Sequence, residues 1–164
     1  MNNYRDNGAI DALLDEYEKV IFELQSVIET ISSIELISIV DPHTDDASFR
    51  SIQTILSHVI RAGYTYVIEV RKYLGEDIDY KDEILLDNIS LYKNGLNEMF
   101  LYNESLFKDY PKIKIEEKDN NKKMKVRWGQ SYDIEQILEH AIVHILRHRR
   151  QIERFLITLR QVKP

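Results

Sequence analysis

Four long runs in which apolar residues recur at steps of three and four constrain this chain more than any other feature. A stripe of that period lies on one face of an α-helix and cannot line one face of a strand. The first run carries Ile10, Leu13, Leu14, Tyr17, Val20, Ile21, Leu24, Val27, Ile28 and Ile31, which predicts a helix of roughly 25 residues. Ser32-Ser33 and Asp41-Pro42-His43 break it. The second run extends from about Ser48 to Leu74 through Ile52, Ile55, Leu56, Val59, Gly63, Tyr66, Val67, Val70 and Tyr73. Gly75 follows it at the place of a C′ glycine. The third, about Lys81 to Lys108, carries Leu85, Ile89, Tyr92, Leu96, Met99, Phe100 and Leu106, and Pro111 ends it. The fourth opens on a capping box, with Asp133 as N-cap, Gln136 at N3 and Tyr132 placed to staple onto Ile137. It runs to about Val162.

Four such stripes bury most cheaply against one another, so the expected fold is all-α, a four-helix bundle. The 164 residues are the length of a single domain, taken here as 1–164, and five glycines and three prolines leave little material for a many-turned β-fold. One segment breaks the helical pattern. Ile113-Lys114-Ile115 and Met124-Lys125-Val126-Arg127-Trp128 alternate apolar and polar about Asp119-Asn120-Asn121. That alternation predicts a short β-hairpin between the third and fourth helices, its turn projecting from the bundle.

Composition closes several functional routes. A net charge of −6 opposes binding along a phosphate backbone, so no nucleic-acid partner is expected. The chain has no cysteine, which removes disulfides, thiolate ligands and a protein thiol nucleophile together. Any metal is then held by nitrogen and oxygen, and any thiol chemistry uses a thiol brought by the substrate. Met1-Asn2-Asn3-Tyr4-Arg5-Asp6 is polar, unlike a signal peptide. No apolar run approaches the roughly 20 residues of a membrane span, so a soluble cytoplasmic protein without a membrane partner is expected.

The histidines carry what chemistry the sequence offers. With Ile134 at zero on a helical wheel, the apolar residues of the fourth helix fall within roughly 60° of that line. His148 falls at about −40°, inside the stripe, His144 at about −80° on its edge, and His140 at about −120° outside it. His144 and His148, four apart, project from one side of the helix one turn apart, as two imidazoles on one ion require. His58 on the second helix is the natural third ligand, since helices of a bundle face each other across the core. Its wheel position lies about 120° from the centre of its own apolar stripe, so it reaches inward from a flank. On spacing alone the pair reads more readily as packed histidines bonded to their neighbours than as metal ligands. His140-Ala141-Ile142-Val143-His144 lacks the glutamate of a His-Glu-x-x-His peptidase. No Glu-x-x-His occurs in the chain, which opposes a di-iron carboxylate bundle. A mononuclear site with three imidazoles and an open position remains.

The run Ile137-Leu138-Glu139-His140-Ala141-Ile142-Val143-His144-Ile145-Leu146-Arg147-His148-Arg149-Arg150-Gln151-Ile152 resembles the last helix of the DinB/YfiT-like superfamily, whose signature is a histidine, three residues, then His-Arg-x-Gln-Ile. The lead-in Trp128-Gly129-Gln130-Ser131-Tyr132 is also similar, and Ile55-Leu56-Ser57-His58-Val59 looks like the second-helix segment that supplies the remaining ligand. The resemblance covers nearly the whole chain in helix order and length. It implies an up-down-down-up bundle with His58, His144 and His148 on one divalent ion, zinc or nickel, and His140 as a neighbour. It also implies a homodimer acting on a small-molecule substrate, with a low-molecular-weight thiol such as bacillithiol or mycothiol as cosubstrate for transfer or isomerisation. Hydrolases are the other activity attached to the family. Arg150 departs from the pattern, standing where glycine is frequent; its wheel position near 160° is on the solvent side.

Two function classes follow. In one, a metal-dependent enzyme, thiol S-transferase or hydrolase, activates a thiol or water against an electrophile, with Glu139, Tyr66 and Gln151 as open choices for a proton shuttle. In the other, the chain is a non-catalytic dimeric bundle whose metal is structural or adventitious. An open fourth position favours the first. The basic end of the last helix (Arg147, Arg149, Arg150, Arg154, Arg160, Lys163) reads as a solvated face matched to the helix dipole. His43 reads as part of a turn that caps the next helix. Trp128, Tyr64, Tyr66 and Tyr73 read as packing.

Overall fold

The computed structural model describes residues 4–6 and 8–161. Met1-Asn2-Asn3, Val162 and Lys163, to which the sequence reading extends, lie outside the described residues. Five α-helices form: α1 (Gly8–Ile28), α2 (Ser33–Ile37), α3 (Ile52–Tyr73), α4 (Ile89–Asp109) and α5 (Ile134–Gln161). The long ones, α1, α3, α4 and α5, are the four expected from the apolar stripes. Their buried residues include Leu14, Tyr17, Leu24, Ile28, Ile55, Leu56, Val59, Tyr92, Leu96, Met99, Ile145 and Ile152, each fully buried aliphatic contributing roughly 1.5–3 kcal/mol.

Helix ends follow local chemistry. Asp133 and Gln136 make the expected capping box, Gln136 N–H donating to Asp133 Oδ1 at 2.9 Å and Asp133 N–H to Gln136 Oε1 at 3.1 Å. Ser51 and Thr54 make another at the start of α3. Gly75, at φ +94°, closes α3 in a Schellman turn. Its N–H donates to Lys72 O and that of Glu76 to Arg71 O, both at 3.0 Å.

Connectivity is legible from contacts along the helices. After α3, residues 76–88 run back as an irregular strap: Lys72 Nζ donates to Ile78 O near the end of α3, and Gln53 Nε2 to Leu86 O near its start. The strap returns the chain to the beginning of α3, so α4 runs parallel to α3. Late α1 meets early α4 through Gln25 and Asn97, which makes those two antiparallel. Arg149 pairs with Glu23, and Arg160 with Thr30 and Glu35, so α5 runs with α1. The topology is up-down-down-up.

The strap corrects the expected start of the third helix near Lys81. Asn88 caps α4, its side chain accepting from Leu91 N–H at 3.0 Å. Upstream, the buried Tyr92 hydroxyl takes the Leu86 N–H at 3.0 Å and donates to Gln53 O. Leu85 is 55% exposed, so its fit to the helical period was fortuitous. The hairpin between α4 and α5 exists, with a different partner strand. β1 (Met124–Lys125) pairs antiparallel with β2 (Ser131–Tyr132), Met124 opposite Tyr132. The turn falls at Arg127-Trp128-Gly129, where Gly129 takes φ +91°, as a three-residue hairpin loop requires. Ile113–Ile115 stays outside the sheet because the Ile115 carbonyl accepts from Glu135 N–H at the head of α5. Asp119-Asn120-Asn121 winds into a 3₁₀ turn capped by Asp119.

Candidate metal centre

His58 stands on the second turn of α3, and His144 and His148 stand on the middle of α5. The antiparallel packing of these helices brings the three imidazoles together, one donor atom of each lying within 4.8 Å of the others. His144 Nε2 is 3.1 Å from His58 Nε2 and 3.1 Å from His148 Nε2. Burial follows the wheel order on α5: His148 is 1% exposed, while His144 and His140 are half-buried. His58 converges with the pair despite its flank position, because α3 is covered nearly all round by α4, α5, α2 and the 3₁₀ turn Ala47–Phe49. A flank of such a helix still faces protein.

The donor geometry tests whether a metal fits. A neutral imidazole nitrogen offers one in-plane direction, either an N–H or a lone pair. His144 Nε2 cannot satisfy two ring nitrogens with it, so at least one of the two 3.1 Å contacts is unmade as a hydrogen bond. A cation held by the three lone pairs would resolve the conflict. Ligands at about 2.1 Å from one ion stand about 3.0 Å apart at right angles and about 3.4 Å apart in a tetrahedron, and 3.1 Å falls between.

The outer contacts set the tautomers. His148 Nδ1 lies 3.0 Å from Gln151 Oε1. An amide oxygen only accepts, so Nδ1 carries the proton and Nε2 presents its lone pair to the cluster. His58 is opposed: Arg61 Nη2 lies 3.3 Å from its Nδ1, and a guanidinium only donates. Ligation through His58 Nε2 would therefore move its proton to Nδ1 and leave Arg61 to Glu83, which already takes its Nε–H at 2.9 Å. Burial, assisted by the charges of His148 and Arg61, lowers the His58 pKa to about 4. Burial also lowers His144, His148 and His140, with Arg147 acting in the same direction on each. All three cluster imidazoles stay neutral at physiological pH, the form that binds metal.

A cavity of about 460 Å³ opens in front of the cluster. Phe49 stacks on His148, centroids 5.4 Å apart at 24°, and meets His58 edge-on. Tyr66 sets its ring edge-on to His144 at 5.6 Å and to Trp128 at 5.7 Å. Trp128 and Tyr66 thus form wall, as packing residues do, and the wall belongs to the site. Arg61, Thr65, Arg127, Arg147 and His140 also line it. Arg61 and Thr65 follow His58 by three and seven positions, so helical spacing could have flagged them. Phe49 arrives from a loop, and no sequence signal marked it.

The other sequence candidates separate. His140 lies outside the cluster, its Nδ1 3.2 Å from the Tyr132 hydroxyl. Gln151 orients His148, and Glu139 lines a shallow depression beside Val143 rather than the cavity. His43 is exposed and folds back, its N–H donating to Asp41 Oδ1 at 3.3 Å. Asp46 caps the 3₁₀ turn, accepting from Ser48 N–H at 2.9 Å. Among the described residues no helix is long and apolar enough to cross a membrane.

Fold and site together define an α-helical bundle with a three-histidine cluster at the flank between α3 and α5. The crystal structure of a candidate member of the DinB family from Exiguobacterium sibiricum 255-15 matches with a TM-score of 0.61 at 14% identity, over 98% of this chain and 97% of that one. At that identity the likeness establishes the fold, which is the DinB-like bundle. No family model and no curated protein matches the chain.

Proposed function

We propose that His58, His144 and His148 bind one divalent ion, zinc or nickel, and that the protein is a metal-dependent enzyme, a low-molecular-weight thiol S-transferase or a hydrolase. The observation that carries this reading is the convergence of three neutral Nε2 atoms at the wall of an open cavity. When bound, a divalent ion on three uncharged ligands supplies Lewis-acid activation of a water or thiol near neutral pH. The chain's own residues prepare that chemistry. Gln151 holds the His148 proton on Nδ1. Phe49 packs its ring against His148 and His58 and limits how those rings can turn. Burial raises the Tyr66 pKa, so its phenol stays protonated and able to donate. With no cysteine in the chain, a thiol nucleophile enters as a cosubstrate. An electrophilic small molecule enters beside Trp128. We further propose a single domain spanning 1–164, a homodimer and a cytoplasmic location.

Elemental analysis of full-length protein purified without a nickel column tests the metal reading, together with thiol transfer from several small thiols to a fluorogenic alkylating probe. One equivalent of metal and turnover in the wild type, both lost in His148→Ala, is the expected result. A metal-free wild type, or transfer unchanged in His148→Ala, would leave a non-catalytic bundle as the better description.

A further inference from the structure

A second cavity of about 810 Å³ lies beside the first, lined by Arg147, Arg150, Arg154, Gln151, Phe49 and Asp41 among others. Arg147 and Phe49 line both cavities, so the two adjoin. Positions 147, 150 and 154 share one face of α5 and span about 10 Å along its axis. Carboxylates outnumber cationic side chains 28 to 22 in this chain, and half of the arginines find them. Arg149 pairs with Glu23 and Glu153, Arg160 with Glu35, and Arg71 with Glu76 and Asp109. Arg147, Arg150 and Arg154 have no carboxylate within ion-pairing distance among the described residues. One acidic side chain, Asp41, lines the cavity with them. Three unpaired guanidiniums aligned along a groove, in a protein of net negative charge, are a concentrated anion-attracting feature.

We infer that this arginine row is an anion subsite for the substrate or cosubstrate, a small molecule bearing a carboxylate or phosphate group remote from its reacting atom. The inference rests on the metal-site reading for what lies at the other end: Arg147 and Phe49 bridge the row to the histidine cluster, so a ligand anchored by its anion extends its reactive end toward the three imidazoles. Guanidinium forks recognise carboxylate and phosphate alike. Arg150, read from sequence as a solvated residue, becomes a specificity determinant. Dipole matching explains basic residues near a helix end, but not why three guanidiniums on one face of α5 line a cavity without carboxylate partners.

Calorimetric titration of metal-free full-length protein with glutarate and with inorganic phosphate, at fixed ionic strength, tests this. Wild type and Lys118→Gln are expected to bind at least one anion saturably and alike, and Arg150→Gln/Arg154→Gln about tenfold more weakly. Binding of glutarate or of phosphate tells a carboxylate from a phosphate substrate. Circular dichroism confirms that the variants fold. Absence of saturable binding of both anions, or equal affinity in the double variant, overturns the inference. Metal content measured on the same preparations as purified, before the metal is stripped for titration, separates the two readings: metal without anion binding sinks this one alone, and anion binding without metal sinks the other alone.

Discussion

Acidification of the metal-free protein tests the histidine cluster without any knowledge of substrate. His58 is lowered to about 4 by burial first and by the charges of His148 and Arg61 second, whereas an unfolded histidine titrates near about 6.5. Above that value the folded and unfolded chains bind the same number of protons at this group. Below it the unfolded chain takes a proton that folded His58 refuses, so stability falls with pH until the folded pKa is passed. From pH 7.5 to 5.0 the loss is about 2 kcal/mol by linkage, or roughly 1 kcal/mol after discounting for the partly exposed ring. His144 and His148, lowered also, act in the same direction. Glu35, held at about 2 chiefly by the Arg160 hydrogen bond, loses its contribution only as pH drops below its ordinary 4.5. Urea unfolding followed by circular dichroism, with a chelator present, is the assay. The wild type should lose about 1 kcal/mol or more beyond the loss in His58→Gln. Parallel losses in the two proteins would show that folding does not hold His58 neutral.

Three further perturbations probe the site and its support. Gln151→Leu removes the acceptor that fixes the His148 tautomer, and metal affinity should fall roughly 10–100-fold; competition with a chromophoric chelator reads it. Arg61→Gln replaces a donor opposed to the ligating tautomer of His58 and removes a nearby positive charge, so the same competition should show affinity rising by about threefold or more; a decrease would mean that Arg61 supports the site. Gly63→Ala places a Cβ against the Met99 side chain where α3 and α4 approach closely, and should cost about 1–3 kcal/mol, measured as a lowered denaturation midpoint.

Elements set by local chemistry are legible in the sequence. The four apolar stripes gave the four long helices, Asp133 and Gln136 the start of α5, and Gly75 the end of α3. The His144–His148 pair was legible because four residues of helix fix its geometry. Elements set by distant partners were not. The stretch from about Lys81 fits helical spacing, yet it is irregular up to Asn88 because Tyr92 and Gln53 claim the backbone groups of Leu86. Ile113–Ile115 alternated like a strand of the hairpin, but the head of α5 takes its carbonyl.

The sequence alone therefore determined the helix content, the absence of thiol ligands and the presence of two imidazoles on one helix face. Tertiary structure decided the rest. How far His58 stands from His144, which rings wall the cavity, and which arginines are left without a carboxylate depend on how α3 and α5 cross and where the 47–49 turn lands. Those are distances between residues far apart in the chain, and periodicity along one helix carries no information about them.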